Sequence, residues 1–168
     1  MTGLVADTSG LVSLGIADGD GDLLALCLDR YDIAVPEVVV AELREVASYG
    51  DVHGRGAARV LDRADEMRVQ DVELDPEFPL DDGENAAVTL ANEDDAAILL
   101  CDEFNRLGLI HASLADTRLV TMPTLLSVFV RQDCPDSEDA LSLLDTLSEA
   151  RSWDANSYVQ RARSLLDG

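Results

Sequence analysis

The sequence predicts an α/β fold in which one central parallel sheet carries helices on both faces. Three observations carry that expectation. Short apolar runs alternate along the chain with stretches whose apolar residues recur every three or four positions. The short runs are of strand length, and two of them end directly on a carboxylate. Strands that alternate with helices are joined by right-handed crossovers, which make the sheet parallel and cover both of its faces.

Taken in order, residues 4–6 form an apolar run that ends on Asp7; Thr8, Ser9 and Gly10 follow, then Leu11, Val12 and Leu14 at helical spacing. This reads as strand, acid at the strand's end, helix. Asp18, Asp20 and Asp22 alternate with glycine and mark a turn; their spacing resembles a calcium loop, but the glutamate that would close such a loop is missing. Residues 23–28 begin a second short helix, and Ile33, Ala34 and Val35 form the next strand, ended by Pro36. Proline suits the first turn of a helix, here one running through Val39, Val40, Leu43 and Val46 with Glu42 one turn inside. Residues 50–56 read as a loop, 57–67 as a helix and 69–74 as a short edge strand. Asp82, Gly83 and Glu84 open a helix whose small apolar face is Ala86, Ala87, Val88, Leu90 and Ala91. Residues 96–100 read as a buried strand that ends at Asp102 and Glu103, 104–114 as a helix, 119–122 as a strand closed by Pro123, and 124–130 as a helix. Two amphipathic helices, about 137–150 and 155–166, finish the chain, with Trp153 and Tyr158 anchoring the last of them. The whole reads as a single domain over residues 1–168, its C-terminal helices starting near 136.

Composition narrows the function. With 168 residues, 47% of them hydrophobic, the chain can bury one substantial core. Its longest apolar runs fall far short of the roughly 20 residues that span a bilayer, and no basic region followed by an apolar stretch opens it. A cytoplasmic protein without membrane association is expected. The three cysteines, Cys27, Cys101 and Cys134, are odd in number and lack CxxC spacing, so they read as small buried hydrophobes rather than as disulfides or zinc ligands. His53 and His111 read as exposed residues rather than catalysts. Acidic residues number 34 against 12 basic ones, a net charge of −22, and every basic residue is arginine. That combination resembles proteins of extreme halophiles. At about 1 M salt the Debye length is near 3 Å, so much of the surface repulsion is screened, and the acidity does not exclude a nucleic-acid substrate. The low aromatic content and the absence of a basic stripe give no support to a dedicated base-stacking platform.

In a parallel sheet, ligands gather outside the carboxyl ends of the strands. Asp7 and Asp102 each follow an apolar strand directly, and Glu42 and Glu84 sit near the starts of helices that face the same edge. Four carboxylates converging there repel one another unless cations share the site. Each also has a simpler local reading: Asp7 as a helix N-cap, Glu42 as a solvated helix residue, Glu84 as a first-turn acid favoured by the helix dipole. Asp102, directly after an apolar strand, needs a solvated edge, a cap role or a metal.

The segments Val5-Ala-Asp-Thr-Ser9, Val35-Pro-Glu-Val-Val-Val-Ala-Glu42-Leu, Leu80-Asp-Asp-Gly-Glu84-Asn-Ala-Ala-Val-Thr-Leu-Ala91 and Leu99-Leu-Cys-Asp-Glu103 together resemble the PIN domain, the fold of VapC-type toxins and of several RNA-processing nucleases. The resemblance covers essentially the whole chain in element order. It implies a three-layer α/β/α fold with a central parallel sheet and extra C-terminal helices, and hydrolysis of RNA phosphodiester bonds with Mg²⁺ or Mn²⁺. It also implies that Asp7, Glu42, Glu84 and Asp102 are catalytic and bind metal, that Glu103 is a further metal ligand, and that Thr8, Ser9 and Arg106 bind substrate. Glu84 and Glu103 stand where relatives carry aspartate, and Met122-Pro-Thr-Leu-Leu stands where a glycine-rich segment is frequent. As partners it implies an RNA substrate, an antitoxin protein if the chain is a toxin, and a homodimer. Leu11, Leu14, Leu24 and Leu28, with the helix from Val38, offer apolar surface for the last. Two other readings stay open: a catalytically weak PIN-like module that binds RNA or protein, and an acidic pocket of phosphoacceptor or phosphatase type. The lack of an Asp-x-Asp pair at Asp7 and of any lysine argues against the second.

Overall fold

A computed structural model describes residues 1–18, 23–132, 137–151 and 157–167. Asp20, Asp22, Cys134, Trp153 and the side chain of Tyr158 lie outside the described residues, and so do the calcium-loop, third-cysteine and C-terminal-anchor readings that rest on them. The chain divides into two compact units, Met1–Val120 and Thr121–Gly168.

The first unit alternates strands and helices: β1 (Thr2–Ala6), α1 (Thr8–Asp18), α2 (Leu23–Arg30), β2 (Tyr31–Pro36), α3 (Glu37–Ala47), α4 (Val52–Leu61), a 3₁₀ turn at Ala64–Glu66, β3 (Arg68–Gln70), α5 (Asp82–Glu93), β4 (Ile98–Leu100), α6 (Leu107–Ser113) and β5 (Arg118–Val120). The strands form the expected parallel sheet, in the order β3-β2-β1-β4-β5. From β1 the chain steps outward through β2 to β3, then returns across the sheet to β4 and steps outward the other way to β5. Right-handed crossovers therefore place α1 to α4 on one face and α5 and α6 on the other.

Alternation along the strands sorts the core between the faces. Val5, Ala34 and Leu99 pack with Ala87, Leu90 and Ile110 of α5 and α6. On the opposite face α1 approaches β4 so closely that a Cβ on Gly10 would lie 2.6 Å from the Leu100 carbonyl oxygen. Leu4, Val5 and Ala6 are at most 1% exposed, so the central strand reads as a continuous apolar run because both of its faces are covered.

Helix α1 is buried from Gly10 to Ala17. It crosses α4 at a pair of glycines: a Cβ on Gly15 would lie 2.0 Å from the Gly56 carbonyl oxygen, and one on Gly56 would lie 2.9 Å from the Ile16 nitrogen. This corrects the loop read at residues 50–56. Helix α4 begins at Val52, where the Asp51 carboxylate accepts the Gly54 N–H at 2.9 Å and caps it. Glycines that look like a loop in sequence here let two helices touch along their backbones. Other boundaries shift for local reasons. The helix read at 57–67 stops at Leu61 and the strand read at 69–74 shortens to Arg68–Gln70. The helix read at 104–114 contracts to Leu107–Ser113, because 104–106 form a tight turn with Phe104 N–H donating to the Asp102 carbonyl. Leu11, Leu14 and Leu24 are at most 1% exposed and Leu28 is half-buried, so the apolar surface read as dimer-forming is largely consumed inside this chain.

The second unit holds α7 (Met122–Arg131), α8 (Ser137–Arg151) and α9 (Ser157–Asp167), which pack on one another. It starts at Thr121, earlier than the C-terminal helices read from near 136, and the Thr121 hydroxyl caps α7 by accepting the Thr124 N–H. Among the described residues no helix is long and apolar enough to cross a membrane.

Candidate active site

β1 and β4 are neighbours whose following connections leave toward opposite sides, so a crevice forms above their carboxyl ends, where parallel sheets bind ligands. Their register pairs Val5 with Leu99 and Ala6 with Leu100. The ladder continues one step, because the Asp7 N–H donates to the Leu100 carbonyl at 3.2 Å. Asp7 therefore sits beside Cys101 at the sheet edge with Asp102 one residue beyond, and each aspartate is only 4% exposed.

Asp7 is held on several sides. Its carbonyl accepts the Leu11 N–H at 3.1 Å, and its Oδ1 accepts the Gly10 N–H at 2.9 Å and the Ser9 hydroxyl at 2.8 Å. The N-cap reading and the site reading of Asp7 thus belong to one side chain. The Cys101 thiol donates to Oδ2 at 3.1 Å. Ser9 meanwhile accepts the Asp102 N–H at 2.9 Å, so a single hydroxyl ties the two strand-end acids together. In this arrangement Ser9, read as a substrate ligand, is engaged within the chain.

Glu42 and Glu84 approach from the two helix layers. Pro36 ends β2, α3 starts immediately after it, and Glu42 is half-buried with its Oε2 accepting the Thr8 hydroxyl at 2.6 Å. A Cβ on Gly83 would lie 2.3 Å from Glu42 Oε1, so glycine in the first turn of α5 makes room for that carboxylate. Asp81 caps α5 by accepting the Glu84 N–H at 2.9 Å. Glu84 is 6% exposed and its Oε2 accepts from Arg106 Nη1 at 3.1 Å, while the Arg106 side chain is 45% exposed. Beside these acids opens a cavity of about 570 Å³ lined by Thr8, Glu42, Glu45, Val46, Tyr49, Asp81 and Asp82.

Burial raises the pKa of Glu42 above the ordinary glutamate value; the Thr8 hydroxyl opposes that, and the Asp81, Asp7 and Asp82 carboxylates add to it. Burial also raises Glu84, with Asp81 adding and Arg106 opposing. The Cys101 thiol is pushed up by burial and then by Asp7, which keeps it a protonated donor at neutral pH. A carboxyl whose folded-state pKa is raised contributes stability that is present below its unfolded value and lost as pH rises through the folded one. The metal-free protein is therefore expected to melt higher as pH falls from 7 toward the ordinary glutamate range. Surface carboxylates shift melting in the same direction, so the measurement is the difference from Glu42→Gln, whose melting point should climb less over that window; parallel curves would refute the contribution of Glu42.

The structure joins Asp7, Ser9 and Asp102 directly, Thr8 to Glu42, and Glu84 to Arg106. Glu103 follows half-buried, its carbonyl accepting the Arg106 N–H at 3.0 Å. Two participants escaped the sequence reading. Cys101 was read as a plain hydrophobe, and only the β1–β4 register reveals it as a donor to Asp7. Asp81 left a legible signal, since an N-cap acid with glutamate three residues on is capping-box spacing. Among the described residues no three His, Cys, Asp or Glu side chains stand close enough to hold one metal ion.

A family model described as PIN domain matches residues 3–167 of the chain. No curated protein sequence matches it. Among solved structures, a chain from the crystal structure of VapBC2 from Rickettsia felis bound to a DNA fragment from their promoter is similar, with a TM-score of 0.49 and 13% identity over 71% of this chain and 98% of that one.

Proposed function

Because the chain belongs to the PIN domain family, we propose that it is a divalent-metal-dependent ribonuclease whose site is built on Asp7 and Asp102, with Glu42 and Glu84 completing it. The observation that carries this reading is the pair of aspartates, each 4% exposed, at neighbouring strand ends beside the crevice where the connections diverge. Two like charges held that far from water are costly unless opposite charge or strong donors compensate them. The family model runs through both compact units, which supports treating residues 1–168 as one PIN-like domain.

The donor set suits Mg²⁺ or Mn²⁺, since every candidate ligand presents hard carboxylate oxygen. Asp7, Asp102, Glu84 and Glu42 would hold the ion, with Glu103 next to them in the chain; once bound, it supplies a polarised phosphoryl oxygen and a more acidic water. The chain's own groups do the rest. Gly10 N–H, Ser9 and Cys101 fix the rotamer of Asp7. The Thr8 hydroxyl orients the Glu42 carboxylate. Thr8 and Arg106 contact substrate after leaving Glu42 and Glu84, their partners here.

Purified protein in molar KCl should cleave single-stranded or structured RNA when Mg²⁺ or Mn²⁺ is supplied and not in EDTA. Cleavage that persists in EDTA, or none on any of several RNAs with Mn²⁺, would overturn the proposal. The toxin form of this reading adds an antitoxin partner, tested by co-purifying the product of a neighbouring gene. One observation favours a catalytically weak binding module instead: among the described residues no three of these acids stand close enough to share an ion. RNA binding without cleavage at any metal concentration would select that alternative.

A further inference from the structure

Resting on the RNA-substrate reading above and not on its metal, we infer that the cavity beside Thr8 and Glu42 seats one unpaired base of the RNA, with Tyr49 stacking on it and Glu45 selecting guanine. Glu42, Glu45, Val46 and Tyr49 follow one another at helical spacing, so α3 and the turn after it supply one wall of the cavity. Thr8, next to Asp7 in the chain, also lines it, and the cavity therefore opens beside the strand-end acids.

Acidity alone assigns nothing on a chain of net charge −22. The distinguishing feature is Tyr49. At 50% exposure it is the only exposed aromatic side chain among the described residues, where Tyr31, Phe78, Phe104 and Phe129 are partly or fully buried. A ring left in water along a cavity wall, beside the aliphatic Val46, offers a face on which any base stacks. One aromatic serves one base, which makes a subsite rather than a platform.

The polar lining then chooses the base. No arginine lines the cavity, so phosphate is repelled and the uncharged base is the part of a nucleotide that can enter. Glu45 and Asp82 are exposed and their carboxylates accept no hydrogen bond among the described residues, whereas Glu42 and Asp81 already accept from the Thr8 hydroxyl and the Glu84 N–H. An ionised carboxylate only accepts. Guanine alone presents two donors side by side on its pairing edge, N1–H and the N2 amino group; in adenine, cytosine and uracil each donor there is flanked by acceptors that a carboxylate repels. Glu45, one turn before Tyr49 on the same face, is placed to pair with the edge of a base stacked on that ring.

Binding of labelled oligouridylates that carry one guanosine, one inosine or no substitution, read by fluorescence anisotropy in molar KCl with EDTA, tests the inference without any metal. Wild type should bind the guanosine oligomer about tenfold more tightly than plain oligouridylate, the worth of one bidentate base contact, with inosine between because it lacks the N2 amino group. Tyr49→Ala should weaken the guanosine oligomer about tenfold, and Tyr49→Phe should keep wild-type affinity, since the ring rather than the hydroxyl carries the contact. Glu45→Gln should erase the guanosine preference. Removing a negative charge from so acidic a chain otherwise favours RNA, as Asp29→Asn controls for, so a loss in Glu45→Gln has the sign that relief of repulsion cannot give. Equal affinity for the three oligomers, or a guanosine preference that survives both Tyr49→Ala and Glu45→Gln, overturns the inference and leaves RNA binding standing. No binding of any oligomer overturns it too, and the cleavage assay above then decides the RNA reading separately. Tyr49-dependent binding of an arginine-rich peptide in place of RNA overturns it in favour of a basic protein segment. Both side chains are exposed, so their replacement spares the core; should Tyr49→Ala fail to fold, Glu45→Gln decides alone.

Discussion

Replacing Asp7 or Asp102 by asparagine is expected to abolish RNA cleavage, with a loss beyond the roughly 10–100-fold that removal of an outer-shell metal partner costs. The same variants should lose most of the thermal stabilisation that Mn²⁺ gives wild type, which amounts to about 2.7 kcal/mol at a hundredfold excess over Kd. The metal-free melting point should stay level or rise. Asparagine keeps one oxygen for the Gly10 N–H and caps a helix as well as aspartate does, while a buried negative charge disappears. Asp29→Asn, on the exposed face of α2, should change none of these. Equal Mn²⁺ shifts in wild type and both variants would show that these aspartates share no metal, and the proposed chemistry would have to be given up.

The second large effect lies away from the acids. Gly15→Val should lower the melting point by about 5–10 °C, since overpacking typically costs about 1–3 kcal/mol and each kcal/mol is worth about 2–4 °C in a chain of this size. The reason is geometric: even the first added carbon would lie 2.0 Å from the Gly56 carbonyl oxygen, which is backbone and cannot rotate aside. Gly50 and Gly108 have nothing within 4 Å of a Cβ, so alanine there should be neutral or stabilising by about 0.4–1 kcal/mol. A Gly15→Val protein that melts with wild type would mean that α1 and α4 do not cross at this glycine pair.

How much of this was legible in the chain depends on what each feature needs. β1, β2 and β4 announce themselves, because the parts of strands covered on both faces must be apolar, and acids follow β1 at once and β4 after one residue. The placement of Asp7 and Asp102 side by side needs one further step, the pairing of β1 with β4, which the alternation of elements does not by itself supply. Residues 50–56 misled because glycine has two uses, tight turns and close helix packing, and only the partner helix tells them apart. The donor role of Cys101 depends on a strand register that local sequence does not encode. Arg106 was read toward phosphate from the resemblance, yet its present partner, Glu84, could not be assigned without knowing that the turn before α6 points back at α5. The leucines of α1 and α2 read as surface because a small sheet does not obviously need them; α1, buried from Gly10 to Ala17, absorbs its own, and Leu24 of α2 is buried with them.

The contact between Asp7 and Cys101 spans 94 positions of sequence. At a synthesis rate of about 5–20 residues per second, roughly 5–20 s separate the emergence of one strand-end acid from that of the other. During that interval β1 has no β4 to pair with, and Asp7 has neither the Cys101 thiol nor the neighbouring Asp102. A growing chain thus lacks the paired strand-end acids until β4 and Asp102 have been made. The fold sets a delay between the start of synthesis and the assembly of this site, fixed by the order in which the strands are made.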